Sequence, residues 1–421
     1  MRSALLILLL TAAGFFFAQR FQFAPVQADA VEEHNLQSSV DFASERTEAR
    51  LYLNSLREKA GLGRFYSNEK LEAAAAAHAL YLAKNSVDSH KESIGMPGFT
   101  GESVIERVLA AGYSSRLVSE NLSSKNLDYK DSIDGLFGAI YHRFGFLDPI
   151  MDEIGIAFTQ DSNGRRIYVY DMGNYRINGL CSKDGFRGMG RYISGICADK
   201  EKKISYNEYY RVLNFNIKAA PETILWPFDG QSDVPVAFYE EIPDPLPNFS
   251  VSGYPISVIF NSLETKRAKV TLFKLYGEGD VEIPTMVMDA KSDPNLLLKD
   301  NQFAIFPLKR LEYSTLYKAQ LHYTLDGAAK EKEWSFKTRS FDASILKVVS
   351  KDASFEIEPK KSYILYIEPY GPNDLLGELL YPDGVTVKMI DPHTFRIEVA
   401  DTACLPLTIA AGERKIRLLG K

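Results

Sequence analysis

Three residues between Leu51 and Phe158 have side chains suited to chemistry: His90, Glu120 and His142. A neutral imidazole offers a lone pair to a metal or takes up a proton, and a carboxylate adds charge and oxygen ligands. Together they could polarise water or hold a cation that does so. Ser89 and Ser119 adjoin two of the three, but adjacency along a chain does not bring a hydroxyl to an imidazole. A serine mechanism needs a nucleophile beside a base that a third group orients. The chain has neither a Gly-x-Ser-x-Gly elbow nor a His-Glu-x-x-His zinc motif. These residues suit binding or proton transfer, and they do not establish catalysis.

The elements that must position them follow from local pattern. Leu51–Arg57 leads into Ala60-Gly61-Leu62 and predicts a helix with a glycine stop. Asn68 to Tyr81 is alanine-rich and predicts a second helix, because alanine loses no side-chain entropy there. His78, in the middle of it, reads as a packed residue. Ser89-His90 then precedes a glycine-rich loop, 95–101. A third helix is expected at about 103–110, stopping at Gly112-Tyr113, and a fourth near 133–141. His142 falls at that helix end, where it is either a cleft imidazole or a residue complementing the macrodipole. Residues 154–158 and 166–171 predict a hairpin across Asn163-Gly164. Asn54 and Arg57 are expected to bond to neighbouring loops, and Asn121 to order its turn through backbone bonds.

Asn54…Arg57, Gly61-Leu62, Ser89-His90, Ser119-Glu120-Asn121, Tyr141-His142-Arg143…Leu147-Asp148-Pro149 and Glu153-Ile154-Gly155-Ile156 occur in that order. Together they resemble the CAP superfamily (cysteine-rich secretory, antigen 5 and pathogenesis-related 1 proteins) in its bacterial form, over roughly residues 40–178. The resemblance implies an α/β/α-sandwich with a cavity lined by two histidines and two acids. His90, Glu120 and His142 match three of these positions. Glu153 is the candidate for the fourth, with Glu102 as an outside alternative. It further implies a divalent cation such as zinc on His90, His142 and Glu120, or a small apolar or glycan ligand. The His-Tyr-Thr-Gln motif of the eukaryotic members is absent.

A length of 421 residues suggests about two to four domains. The net charge of −6 and the lack of a long basic run argue against a nucleic-acid partner. Asp199-Lys-Glu-Lys-Lys203, the densest charge cluster, reads as a solvated turn. The N-terminus carries one arginine and then an apolar run to Ala18, which is of secretory length, with Ala28-Asp29-Ala30 as a small-residue cleavage site. Residues 3–18 are either part of a removed leader or a membrane anchor, and both readings make the protein exported.

Cys181 and Cys197 flank a glycine-rich segment and are expected to form a disulfide in an oxidising compartment. Loop closure of that size stabilises by roughly 3 kcal/mol. Cys404 lies in a β-type stretch and is expected to be a buried free thiol.

The expected organisation is multi-domain α+β. A leader or anchor (1–30) and a tether (31–48) precede a CAP domain (49–178) and a cysteine-paired extension (179–224). Short strands separated by turn signals predict a β-sandwich over 225–340. There Trp226, Pro307-Leu308…Leu311…Thr315-Leu316-Tyr317 and Phe336-Lys337-Thr338 resemble bacterial immunoglobulin-like domains. A small β domain closes the chain at 341–421. The expected function is an exported binding or adaptor protein of the cell envelope. A metal-assisted hydrolase and a structural envelope protein with a vestigial cleft are the alternatives.

Overall fold

The computed structural model describes residues 42–239, 241–261 and 268–421. The expected leader and most of the expected tether lie outside the described residues. The chain divides into two compact units, one reaching to Asp342 with Tyr370–Asp374 added, the other formed by Ala343–Pro369 and Leu375–Lys421.

The first unit begins with helix α1 (Phe42–Lys59), which starts inside the stretch expected to be tether. Strand β1 (Tyr66–Ser67) and helices α2 (Glu69–Asn85) and α3 (Val104–Ala110) follow. Asn68 caps α2 by accepting from the N–H groups of Lys70 and Leu71, and Ser103 with Glu106 forms a reciprocal capping box on α3. Strand β2 (Ser119–Ser124) precedes α4 (Tyr129–Gly138) and α5 (Ile140–Phe146), and strands β3 (Glu153–Gln160) and β4 (Arg166–Gly173) complete the sheet. The single helix expected near 133–141 is thus two. Ala139 leaves the helical region at φ −81°, ψ 118°, just after Gly135 and Gly138 have weakened the helix. His142 therefore sits in the first turn of α5 and not at the C-terminal end of a helix.

The sheet order is β1-β3-β4-β2, with β1 parallel to β3 and the other pairs antiparallel. Ala157, Ile167 and Val169 pack under Ala75, Ala79 and Leu82 of α2. Gly155 marks the closest approach of that layer, because a Cβ there would lie 2.1 Å from the backbone of Leu71 and Glu72. Alternate residues face the other helical layer, where Tyr168 donates to Glu45 of α1 at 2.5 Å and Tyr170 shares a hydrogen bond with Ser132 of α4 at 2.7 Å. This is a three-layer α/β/α arrangement with β2 as its free edge. Arg57 ties the loops beneath it, donating to the carbonyls of Gly63 (2.9 Å), Met151 (3.0 Å) and Phe146. Asn54 exchanges two hydrogen bonds with the backbone of Phe65.

Helix α6 (Tyr175–Ser182), strands β5 (Tyr192–Ile193) and β6 (Ile204–Ser205), and helix α7 (Tyr206–Ala219) form the extension. Cys181 and Cys197 are disulfide-bonded inside its apolar core, with Ile177, Leu180, Ile204 and Val212. Cys404 is free but exposed in a loop, contrary to the expected burial, because it precedes the last hairpin and does not lie within a strand.

Two sheets follow in the same unit. One orders Thr285–Met288, Gln302–Pro307, Ile256–Phe260 and Thr223–Trp226; the other orders Glu282–Ile283, Ala268–Tyr276, Leu316–Leu325, Ala328–Thr338 and Gln231–Val234. They are not separated from the α/β/α layers by a linker. Trp226 is only 2 % exposed, stacks on Phe137 of α4 at 4.2 Å, and donates its indole N–H to Tyr254 at 2.9 Å. Arg143 of α5 donates to Pro255 O (2.8 Å) and Ser257 Oγ (3.0 Å).

The second unit holds two four-stranded sheets, including Ser344–Val348, Ser362–Ile367, Thr394–Val399 and Arg414–Gly420, around one apolar core containing Val348, Leu365, Ile397, Ile409 and Leu418. Among the described residues no helix is long and apolar enough to cross a membrane.

Candidate functional site

Because β2 is an edge strand, the two helical layers meet across it. His90 comes from the loop after α2 on one side and His142 from α5 on the other. Their rings lie 5.9 Å apart, 25° from parallel. Each is oriented through Nδ1 by a buried carboxylate. His90 bonds Glu120 Oε1 at 2.9 Å, and His142 bonds Glu241 Oε1 at 2.6 Å. A ring that donates Nδ1–H to a carboxylate keeps its lone pair at Nε2. Neither Nε2 has a hydrogen-bond partner among the described residues, and the His90 side chain is 46 % exposed. Asn121 donates to the carbonyl of His142 at 2.8 Å, tying α5 to β2.

The acid that bonds His142 is Glu241. Its carboxylate also accepts from the backbone N–H groups of Tyr141 (3.0 Å) and His142 (3.2 Å), which are unpaired donors of the first turn of α5. Tyr141 adds a bond to Asp293, and Asn295 donates to the Tyr141 hydroxyl at 3.0 Å. Glu153 is not gathered with the histidines. It begins β3 and accepts from Asn68 (2.7 Å) and Tyr113 (2.8 Å). Glu102 is exposed and faces Lys91.

Beneath His90 lies a buried charge network that sequence reasoning missed. Arg107 donates to Glu120 Oε2 at 2.6 Å and to the His90 carbonyl at 3.1 Å. Glu92 accepts from His78 Nδ1 (2.9 Å) and from Thr100 N (2.6 Å), while His78 Nε2 meets the Ser89 carbonyl at 3.0 Å. His78 is therefore buried, as expected, but it anchors the loop that carries His90. Burial lowers its pKa, and the charge of Arg107 adds to that, against the pull of Glu120 and Glu92. Burial alone would raise the Glu120 carboxyl, but the His90 hydrogen bond and the charges of His78 and Arg107 bring it down to about 2. Glu120 therefore contributes stability at neutral pH that is lost as pH falls toward that value.

Asp171 faces Glu120 across the β2–β4 pair, fully buried, with no donor at either oxygen among the described residues. Burial, then the Glu120 charge, hold its pKa well above the usual carboxylate range. An acid with a raised folded pKa costs stability as pH climbs past its unfolded value of about 4. Asp171→Asn is therefore expected to stabilise the protein by about 1–3 kcal/mol at pH 7. The gain should vanish near pH 3; urea unfolding at the two pH values measures it, and an equal effect at both would refute the assignment.

Ser89 Oγ accepts from Lys91 N at 2.9 Å, and Ser119 Oγ is buried without a partner among the described residues; neither bonds an imidazole there. Among the described residues no group of three or more His, Cys, Asp or Glu side chains is arranged to hold a metal ion. The two oxygens of Glu120 are taken by His90 and Arg107.

Residues 51–172 match the model of the cysteine-rich secretory protein family, CAP, so this part of the chain is a CAP domain. Among solved structures, an outer surface protein from Borrelia burgdorferi is 19% identical, with a TM-score of 0.29, and the match covers 32% of this chain and 96% of that one. An extracellular protein containing an SCP domain from Bacillus anthracis str. Ames is 16% identical (TM-score 0.28; 31% and 41% covered). A cysteine-rich secretory protein from Staphylococcus aureus subsp. aureus Mu50 is 20% identical (TM-score 0.28; 34% and 42% covered). A comparison with curated proteins finds no match.

Proposed function

We propose that the chain is an exported binding protein of the bacterial cell envelope whose cleft holds a small ligand between His90 and His142, a divalent cation being the simplest such ligand. The observation that carries this reading is the pair of imidazoles 5.9 Å apart, each with Nδ1 on a buried carboxylate. Such second partners fix the tautomer and raise the basicity of the free nitrogen. The apolar N-terminal run supports export. In this reading residues 225–340 are an immunoglobulin-like sandwich that braces the CAP domain and supplies Glu241, and residues 341–421 are a small β domain.

Calorimetric titration of the full chain with zinc tests the site. Near-stoichiometric binding is expected, abolished in His90→Ala and in His142→Ala and weakened roughly 10–100-fold in Glu241→Gln, which removes only an orienting charge. Binding that survives both histidine changes would place the cation elsewhere. No binding by the wild-type chain would leave an organic ligand as the occupant to seek.

A further inference from the structure

The disulfide-closed segment of the extension is not used by the cleft, and its tip has an unusual composition. Between Cys181 and Cys197 the chain carries Lys183, Arg187 and Arg191 against a single acid, Asp184, although the whole chain has a net charge of −6. At the tip, Phe186-Arg187-Gly188-Met189-Gly190-Arg191, Met189 is fully solvent-exposed at 101%. A large apolar side chain so placed is stabilised by no contact within the protein.

The tip is held out by its own frame. Phe186 N donates to Lys203 O at 2.7 Å, and Tyr206 N donates to Arg191 O at 3.0 Å, so both ends of the projecting turn are tied down. The β5–β6 ladder pairs Tyr192 with Ser205 and Ile193 with Ile204 directly behind it. At the base, the backbone of Cys197 pairs with that of Ser115 in an isolated antiparallel β-bridge, and Arg116 N donates to Ile196 O at 2.8 Å, fixing the segment to the CAP domain. Gly190, at φ +130°, adopts a conformation that a side chain would resist. Exposed cations flank the apex. The Arg191 guanidinium lies 3.8 Å from the centre of the Tyr206 ring, and Lys203 lies 4.5 Å from the half-exposed Tyr192 ring.

We propose that this tip is a docking element for an anionic lipid surface, with Met189 entering the interface and Arg187, Arg191 and Lys203 meeting the headgroups. The charge complementarity is local, since an acidic protein presents here a basic turn around one apolar apex. An aromatic ring beside a lysine is the pairing that settles at headgroup depth. Each surface cation near an anionic leaflet strengthens binding about fivefold, and the apolar apex adds a term that a soluble polyanion would not provide.

The test uses the full chain with Cys404→Ser and Met189→Cys carrying an environment-sensitive fluorophore. This reads insertion at the tip itself, whatever residues 3–18 do. Vesicles of equimolar phosphatidylglycerol and phosphatidylcholine should shift the emission to the blue, and phosphatidylcholine alone should not. A label at Asn163→Cys, on the β3–β4 turn, should not respond. Arg187→Ala with Arg191→Ala should weaken the response about 25-fold. An unshifted label on protein that sediments with the anionic vesicles overturns the proposal, as does an equal shift with soluble polyphosphate, which would make the partner an anionic polymer.

Discussion

Gly155→Ala is expected to destabilise the chain by about 3 kcal/mol or more, at the upper end for one added methyl group. The new Cβ would stand 2.1 Å from Leu71 C and Glu72 N, which are backbone atoms of the first turn of α2 and have no rotamer to change. Helix α2 would have to lift from β3. That would break its contact with Ala157 and shift His78, whose bonds to Glu92 and Ser89 hold the loop bearing His90. Gly135→Ala is the matched control. Its Cβ would meet nothing within 4 Å inside helix α4, so it should stabilise by roughly 0.5–1 kcal/mol. Urea denaturation of both variants decides the matter, and an unchanged midpoint for Gly155→Ala would mean that the helix and strand are not in contact there.

Trp226→Ala should cost about 3–5 kcal/mol, the range for removing a buried aromatic side chain. It removes the ring stacked on Phe137 and the indole donor to the Tyr254 hydroxyl. The loss should also be visible as altered cooperativity. The residues up to Asp342 form one compact unit, and Trp226 lies where the CAP helices meet the following sheets. Scanning calorimetry of the wild type should show that unit melting in one transition. In the variant the sheets should melt first. A single transition at the wild-type temperature would show that the two parts are held by other contacts.

Much of the CAP domain was legible in the sequence because its elements announce themselves locally. The alanine run after Asn68, the helix at about 103–110, and the turn at Asn163-Gly164 between β-type segments are each found where the pattern puts them. Strand β2 was not legible, since Ser-Glu-Asn-Leu-Ser-Ser has one apolar residue and no alternation; its neighbour β4 makes it a strand. The break at Ala139 was likewise hidden, because a helix interrupted for one residue keeps its apolar spacing.

Of the residues gathered at the candidate site, His90, Glu120 and His142 could be singled out in the sequence. Glu241 was out of reach, lying 99 residues from His142 in a proline-rich stretch with no periodicity to place it. Glu153 drew the assignment instead because it stands next to the motif strand, yet its carboxylate faces Asn68 and Tyr113. Asp171 did leave a trace. It shares its strand face with Val169, and an acid at an apolar-facing position of a buried strand marks a special environment.

The distance between His142 and Glu241 also bears on biosynthesis. A chain made from its N-terminus has residues 51–172 in hand well before residue 241 is joined, so the acid partner of His142 arrives after the rest of that domain. A nascent or proteolytically shortened product ending before Glu241 carries His142 without its acid partner and with the first-turn donors of its helix uncapped. Until residue 241 has been made, the His142 ring therefore lacks the acid that orients it in the finished fold.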